Sequence, residues 1–568
     1  MNYNTMARLA TKTGMIALLE SLGLKDAVWR RFNPDERNRN GLLASDLELT
    51  RKEMAPIVSG LPRIPGTQAL WVISSIFEAW SYKLEGALSL AVRLKGFHPI
   101  AVHPNSDVWG PRYHGAFGVN EFIGLKRYKE GVANEVSPKE ISDFVEGRPT
   151  VKDLLSFSMR NVGIGRIALS NLITRNKFQK FDLNRPELIR ALSSELMESY
   201  VNTLAAEAMV DEHRPRTAIL MEKGLSPTAE IFGVLISRGI PVVQYAGSQN
   251  TNDFVLKRYV EKNRYQHPFS LDTNTWDRVK QIEWTDEMDG QLMSEFEESY
   301  RSGTWFNRKF LHEGKQIKSP EAVRQQLGLQ PGKKTAVIFS HVLWDATFFY
   351  GDSLFPDYET WLIESVRAAC KNDRVNWIVK LHPDLVWKLK YDKYDGELRD
   401  LAALRSALGS LPDHVKLVLP ETDISSYSFF DITDYCVTVR GTIGIEMACH
   451  GVPVIVAGTG RYSGLGFTTE PASTHEFIDR LASIETLPPM SQAQIQLARR
   501  FAYALFKMRP WPLRSFEMVS LPMDKTGSPV ERNLIAKIKT FDELSAAPDM
   551  VRIAEWLDSD NPDYLHNF

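Results

Sequence analysis

Residues able to do chemistry gather late in this 568-residue chain. The stretch RGTIGIEMACHGVPVI, residues 440–455, sets a Gly-Thr-Ile-Gly turn before one carboxylate, Glu446, and then returns to apolar sequence. Glycines let a backbone approach a ligand closely, and the unsatisfied N–H groups of a helix's first turn attract anions. Arg440, Gly441, Thr442 and Gly444 are therefore candidates to receive a phosphate, and Glu446 to accept hydrogen bonds from the two hydroxyls of a ribose. No Lys-Ser/Thr pair closes the turn, so it is not a Walker A loop, and its spacing is not G-x-G-x-x-G. A plain strand-to-helix connection would look similar, so other residues must decide.

Three further stretches qualify. In VKLHPD a β-branched run delivers His382 to a strand's carboxyl end, where open α/β sheets bind ligands, and the following proline forces an extended exit. In FSHVLWDATFF a strand ending at Ser340 leaves His341, Trp344 and Asp345 in the next loop, although an aromatic loop packing on its neighbours would read the same way. In GTGRYSGLGFT four glycines surround Arg461, whose guanidinium suits a phosphate or a sugar acid. Among the acids, Asp345 stands in the loop after Ser340, and Glu78 and Glu222 stand in the first half of the chain.

The elements that must position these residues follow a strand-helix-strand rhythm. ALWVI, a helix from about Tyr82 to Lys95 and HPIAVH make one βαβ unit; RTAILME, SPTAEIFGVLISRG and IPVVQYAG make another. After a linker near SPEAVRQQLGLQPGKK, the strands TAVIFSHV, NWIVKLHP, VKLVLP, DYCVTV and PVIVAG form a second series. This predicts an α/β fold with two Rossmann-like domains. The expected boundaries are a helical extension over 1–65, a first domain over 66–325, a second over 326–500 and a helical segment over 501–568 that crosses back.

Composition excludes several classes. Hydrophobic residues at 43% and charged residues at 24% are ordinary for a globular chain. A formal net charge of −2 offers no basic excess for neutralising a nucleic acid backbone, so no nucleic-acid partner is expected. The three cysteines share no metal-ligand spacing and read as reduced thiols. The first 26 residues lack the continuous apolar core of a signal peptide, and no run approaches the roughly 20 apolar residues of a membrane helix. The expectation is a cytoplasmic protein that meets any membrane from the cytoplasmic side.

EMACHGVPV resembles the ribose-binding signature of nucleotide-sugar glycosyltransferases built from two facing Rossmann domains, the GT-B fold. The four stretches in order, SHVLWDAT, VKLHP, RGTIGIEMACHGVPVI and AGTGRYSGLGFT, resemble the capsule polysaccharide biosynthesis glycosyltransferases, a bacterial group that includes capsule-type Kdo transferases. The resemblance is firm over residues 335–469 and looser over 70–259, where Glu222-Lys223-Gly224 stands in place of an expected His-Gly.

The resemblance implies a cleft between the two domains, the acceptor against the first and the nucleotide-sugar donor in the second. His382, with His341 and Arg461, would contact donor phosphates; Thr442 would cap the helix and line the phosphate site with Gly444; Glu446 would hold the ribose. Asp345 matches an acid that serves as general base in the Kdo-transferring relatives, with Glu78 and Glu222 on the first domain as alternative bases. From its place in the sequence, Trp344 beside Asp345 would shield that carboxylate and raise its pKa. Common retaining GT-B enzymes carry a second glutamate eight residues before the ribose acid; here Thr438 stands there, which points to inversion with a single base. No D-x-D pair sits in a suitable loop, so no metal is expected, and no cofactor beyond a nucleotide-sugar donor, for which a CMP link fits the Kdo-type relatives. The acceptor would be a glycan or glycolipid, with peripheral contact at the inner membrane or with other polysaccharide assembly enzymes. Two other readings remain at this point: a non-hydrolysing sugar-nucleotide epimerase, and a non-catalytic glycan-binding protein.

Overall fold

The computed structural model describes residues 42–62, 68–103, 107–132, 139–176, 180–303, 314–345, 348–386, 396–520 and 532–566. Most of the expected N-terminal extension lies outside these residues; its described part holds a helix over Ala44–Ser59. The chain divides into two compact units. One comprises Met1–Tyr128, His213–Met221 and Pro512–Asp560; the other comprises Lys129–Glu212, Glu222–Trp511 and Asn561–Phe568. The fold is α/β with mostly parallel strands, as the strand-helix rhythm predicts.

In the first unit, strands β1 (Ala69–Ile73), β2 (His98–His103), β3 (Phe122–Gly124) and β4 (Thr217–Leu220) pair in parallel in the order β4-β1-β2-β3. Leu70 to Ile73 are all buried, as an unbroken apolar run requires in a parallel strand covered on both faces. Helix α1 (Ala79–Arg93) joins β1 to β2 and is buried from Ala79 to Val92. Its charged residues Glu85 and Lys83 are partnered: Glu85 accepts from Ser74 at 2.7 Å and lies 3.0 Å from His114, while Lys83 reaches Asp46 at 2.9 Å.

In the segment expected to be helical, residues 501–568, two helices (Phe541–Ala546 and Pro548–Asp558) follow an antiparallel pair of strands, Phe516–Ser520 and Arg532–Ala536. Phe516 and Met518 are buried around an exposed Glu517, a period of two that helix-forming composition had masked.

The second unit carries the antiparallel pair β5 (Val242–Gly247) and β6 (Asp253–Tyr259), with helix α2 (Thr228–Ser237) before them. It also holds a five-stranded parallel sheet of β7 (Thr335–Phe339), β8 (Asn376–Lys380), β9 (Val415–Val418), β10 (Tyr435–Thr438) and β11 (Val454–Val456), in the order β11-β10-β7-β8-β9. Helices α3 (Asp286–Arg301), α4 (Tyr358–Lys371), α5 (Ile443–Cys449) and α6 (Gln492–Tyr503) belong to this unit. Leu292 and Phe296 of α3, Ile445 and Met447 of α5 and Phe501 of α6 share one core with Val337, Ile378 and Cys436 of the sheet.

That strand order decides where a ligand can go. The chain runs outward from β7 through β8 to β9, then β10 returns to the other side of β7. Such a reversal opens a crevice beyond the carboxyl ends of the two central strands. All three cysteines are free, and no helix among the described residues is long and apolar enough to cross a membrane.

Candidate functional site

A cavity of about 540 Å³ lies at that crevice, entirely within the second unit. His341, Asp345, His382, Arg440, Gly441, Thr442, Glu446 and Arg461 all line it. Gly444 and Glu222 are not among its lining residues, and Glu78 belongs to the first unit. Among the described residues no group of three or more His, Cys, Asp or Glu side chains could hold a metal ion.

The turn from β10 into α5 is built by close approaches. A Cβ on Gly441 would come within 3.0 Å of the Thr438 hydroxyl and 3.5 Å of the His341 ring. A Cβ on Gly444 would fall 2.4 Å from the Tyr462 hydroxyl, which donates to the Gly441 carbonyl at 2.9 Å. Gly444 thus serves packing against a buried tyrosine, and the positions of the turn that line the cavity are Gly441 and Thr442. Gly444→Ala is expected to lower unfolding free energy by about 1–3 kcal/mol through overpacking; an unchanged urea midpoint would contradict this.

Thr442 differs from the expected cap. Its own backbone is helical (φ −57°, ψ −32°) and its side chain caps no amide; its hydroxyl instead accepts from Arg461 Nη1 at 2.9 Å. Arg461 also lies over the Phe269 ring at 5.4 Å, and its Nε has no hydrogen-bond partner. The glycine-rich loop therefore docks its arginine onto the turn. Arg440 is spent differently: its guanidinium donates to the carbonyls of Gly351 at 2.8 Å and Asp352 at 3.1 Å and bonds the Ser353 hydroxyl, fixing the loop after β7.

The two histidines are held by backbone. Val439 N–H donates to His341 Nε2 at 3.3 Å, and the Thr438 hydroxyl lies 3.1 Å from the same nitrogen, so Nε2 carries no proton. Burial first, with the neighbouring His382 and Arg440 adding to it, pushes the His341 pKa down to about 3, so the ring stays neutral. His382 sits one residue beyond Leu381 at the end of β8, where its own N–H donates to the Ser340 hydroxyl at 2.9 Å. Asp384 N–H donates to its Nδ1 at 3.2 Å, so Nδ1 accepts and Nε2 is the nitrogen left to donate.

Glu446 is buried on α5 and accepts from the Tyr300 hydroxyl at 2.5 Å. Burial and then the Glu446 charge raise the Tyr300 pKa well above its ordinary value, so the phenol remains a donor.

The three candidate bases separate clearly. Asp345 is exposed at the cavity, its N–H donating to the Val342 carbonyl at 3.0 Å. Trp344 is buried with Arg399 over its ring at 5.4 Å, so water reaches the carboxylate that this indole was expected to shield. Glu222 is half-buried and accepts from Gly224 N–H at 2.6 Å and from the Tyr350 hydroxyl at 3.1 Å. Burial raises its pKa, and the charge of Asp345 adds to the rise. Glu78 precedes α1 and takes the indole N–H of Trp80.

Lining residues that were not anticipated include His267, Tyr300, Tyr350, Lys380 and Ser426. His267 accepts from Phe269 N–H at 3.0 Å, and its ring is 4.8 Å from that of Tyr350. Burial, followed by the charges of Arg461 and Arg440, holds it neutral. Its His-Pro sequence repeats the pattern of His382-Pro383, a signal that was present. Lys223, in the position where His was expected, donates to the carbonyls of Arg264 at 2.6 Å and Gln266 at 3.0 Å and so fixes the approach to His267.

No protein-family model matches this chain, and no curated protein does. Similar solved structures include KpsC, a β-Kdo 2,4 transferase of Thermosulfurimonas dismutans, at 13% identity and a TM-score of 0.34 over 52% of this chain and 81% of that one. A UDP-GlcNAc 2-epimerase of Neisseria meningitidis bound to UDP-GlcNAc aligns at 10% identity and 0.26 over 77% and 97%. The glycosyltransferase VinC in complex with dTDP aligns at 12% and 0.22 over 77% and 96%. None of these assigns an activity to this chain.

Proposed function

We propose that this chain is a nucleotide-sugar-dependent glycosyltransferase that moves a sugar onto a glycan or glycolipid acceptor in bacterial surface polysaccharide assembly. One observation carries the reading. Lys380 and Arg461 line a single cavity at the β7/β10 reversal, and among the described residues neither forms an ion pair. Beside them stands a buried glutamate presented by a tight glycine turn. Unpaired cations call for a polyanion, and a buried carboxylate among donors calls for vicinal hydroxyls; a nucleoside phosphate brings both.

In this reading His382 donates from Nε2 to a donor phosphate oxygen and Arg461 stabilises the charge that grows on the leaving nucleotide. Asp345 takes the proton of the acceptor hydroxyl as its oxygen attacks the anomeric carbon. Residues 326–500 form the donor half and residues 66–325 the acceptor half, with the reaction on the cytoplasmic side of the inner membrane, and a CMP-linked donor fits the Kdo-type resemblance.

A thermal-shift screen against CMP, UDP, GDP and dTDP tests the reading. A ligand at 100 times its Kd adds about 2.7 kcal/mol to stability, so the correct nucleotide should stand out. His382→Ala and Glu446→Gln should each shrink that shift. A screen in which no nucleotide shifts the protein, or in which both variants respond like the parent, overturns the proposal. Incubating the donor alone separates the isomerase chemistry of an epimerase, which would form a new sugar nucleotide without any acceptor.

A further inference from the structure

Lys380 ends β8 and is only 5% exposed, yet it lines the cavity. Strand alternation puts it on the face that Ile378 gives to the core, a place normally filled by an apolar side chain. Among the described residues no carboxylate and no hydrogen-bond acceptor reaches its Nζ. It faces the ring of Phe429, with its centroid at 5.6 Å, and feels the like charge of Lys315. Lys315 is itself committed to the carbonyls of Pro420 at 2.8 Å and Thr422 at 2.9 Å.

Other buried cations of the same unit are satisfied. Lys223 has two carbonyls, Lys257 has Asp563 and the Ser270 carbonyl, and Arg509 has three carbonyls and Asp563. A buried ammonium without a partner costs several kcal/mol. Consistent with that cost, burial and then Lys315 bring the Lys380 pKa down to about 7. The fold carries this cost at a position open to a ligand cavity.

We propose that Lys380 is the receptor for an oxyanion of the bound ligand, a phosphate or a sugar carboxylate, which completes the ion pair that the protein leaves open. The inference rests on the nucleotide-sugar reading for its ligand, and it adds an anion subsite on β8, separate from the one that Arg461 makes at the β10 turn. In the sheet these two strands are separated by β7, so their backbones lie about 10 Å apart. A ligand bearing negative charge at two places fits such a pair of cations.

The test is Lys380→Met, which keeps the stem and removes the charge, with Lys380→Arg as the charge-retaining control. The probes are inorganic pyrophosphate, cytidine, CMP and a CMP-linked sugar acid, read by calorimetry and thermal unfolding. Without ligand, Lys380→Met should melt at or above the parent's temperature, because an uncompensated buried charge is gone. Its affinity for the anionic probes should fall at least tenfold while cytidine is unaffected, and Lys380→Arg should recover part of the loss. A loss already seen with CMP assigns the phosphate as the anion; a loss confined to the sugar acid assigns the carboxylate. Parent-like binding of every probe by Lys380→Met overturns the inference, as does a lower melting temperature without ligand, which would mark the cation as structural. If the parent binds pyrophosphate and no nucleotide, the nucleotide reading falls and Lys380 is judged on pyrophosphate alone. If the parent binds no probe at all, both fall.

Discussion

Asp345→Asn is expected to cut glycosyl transfer by at least two orders of magnitude while leaving donor affinity unchanged. General-base assistance is worth about 10²–10⁴ in rate, and the amide keeps the size of the carboxylate but not its basicity. The choice between acids is geometric. Asp345 is exposed where the loop after β7 meets the cavity, so an incoming hydroxyl can reach it. Glu222 has its oxygens engaged by Gly224 N–H and the Tyr350 hydroxyl and is held towards its protonated form by burial. Glu78 lies in the other unit with its carboxylate on Trp80. Turnover is measured with donor in excess, beside calorimetric donor affinity. An Asp345→Asn enzyme retaining most of its turnover moves the role to Glu222. In that case Glu222→Gln should carry the loss, and the parent's rate should rise with pH through a pKa above the usual carboxylate range.

The residues that the sequence made legible are those next to punctuation. Gly441 and Gly444 mark the entry to α5 and Pro453 marks its exit, so the strand, turn and helix over 435–456 fall where the motif puts them. Pro383 likewise stops the chain just after β8 and leaves His382 at the strand end. What could not be read is how side chains are spent once the segments meet. Arg440 looks like a phosphate ligand in the motif, but it is 88 or 89 residues from the carbonyls that occupy it. Tyr300, 146 residues from Glu446, supplies the bond that orients the proposed ribose acid. Thr438, where retaining relatives of the resemblance would carry a glutamate, anchors His341 across 97 residues. Local pattern has no access to such separations. Lys380 is a different case: VKLHP displays it plainly, and only its burial without a partner makes it notable.

Asp563→Asn is expected to destabilise the second unit by about 3–5 kcal/mol, the cost of breaking a buried pair by removing one partner. The Asp563, Lys257 and Arg509 side chains are all fully buried. One carboxylate oxygen accepts from Lys257 Nζ at 2.9 Å and lies 3.5 Å from Arg509 Nη2, and the other accepts from Asp272 N–H at 2.7 Å. An asparagine leaves two desolvated cations facing a neutral amide. The effect should reach the cavity, because Lys257 and Arg509 also donate to the Ser270 carbonyl and Arg509 to that of Pro268, fixing the segment that presents His267 and Phe269. Burial by itself would raise the Asp563 pKa, but Lys257 and Arg509 bring it below the ordinary value. The unfolded chain therefore binds this proton more tightly than the folded one. The stabilisation is complete above the ordinary aspartate pKa of about 3.9 and is lost as pH falls through the lower folded value. Urea unfolding at a series of pH values checks both points. The gap between parent and variant should be widest at neutral pH and narrow below about pH 4. A variant as stable as the parent at pH 7, or a gap that widens in acid, would show that these cations do not depend on Asp563.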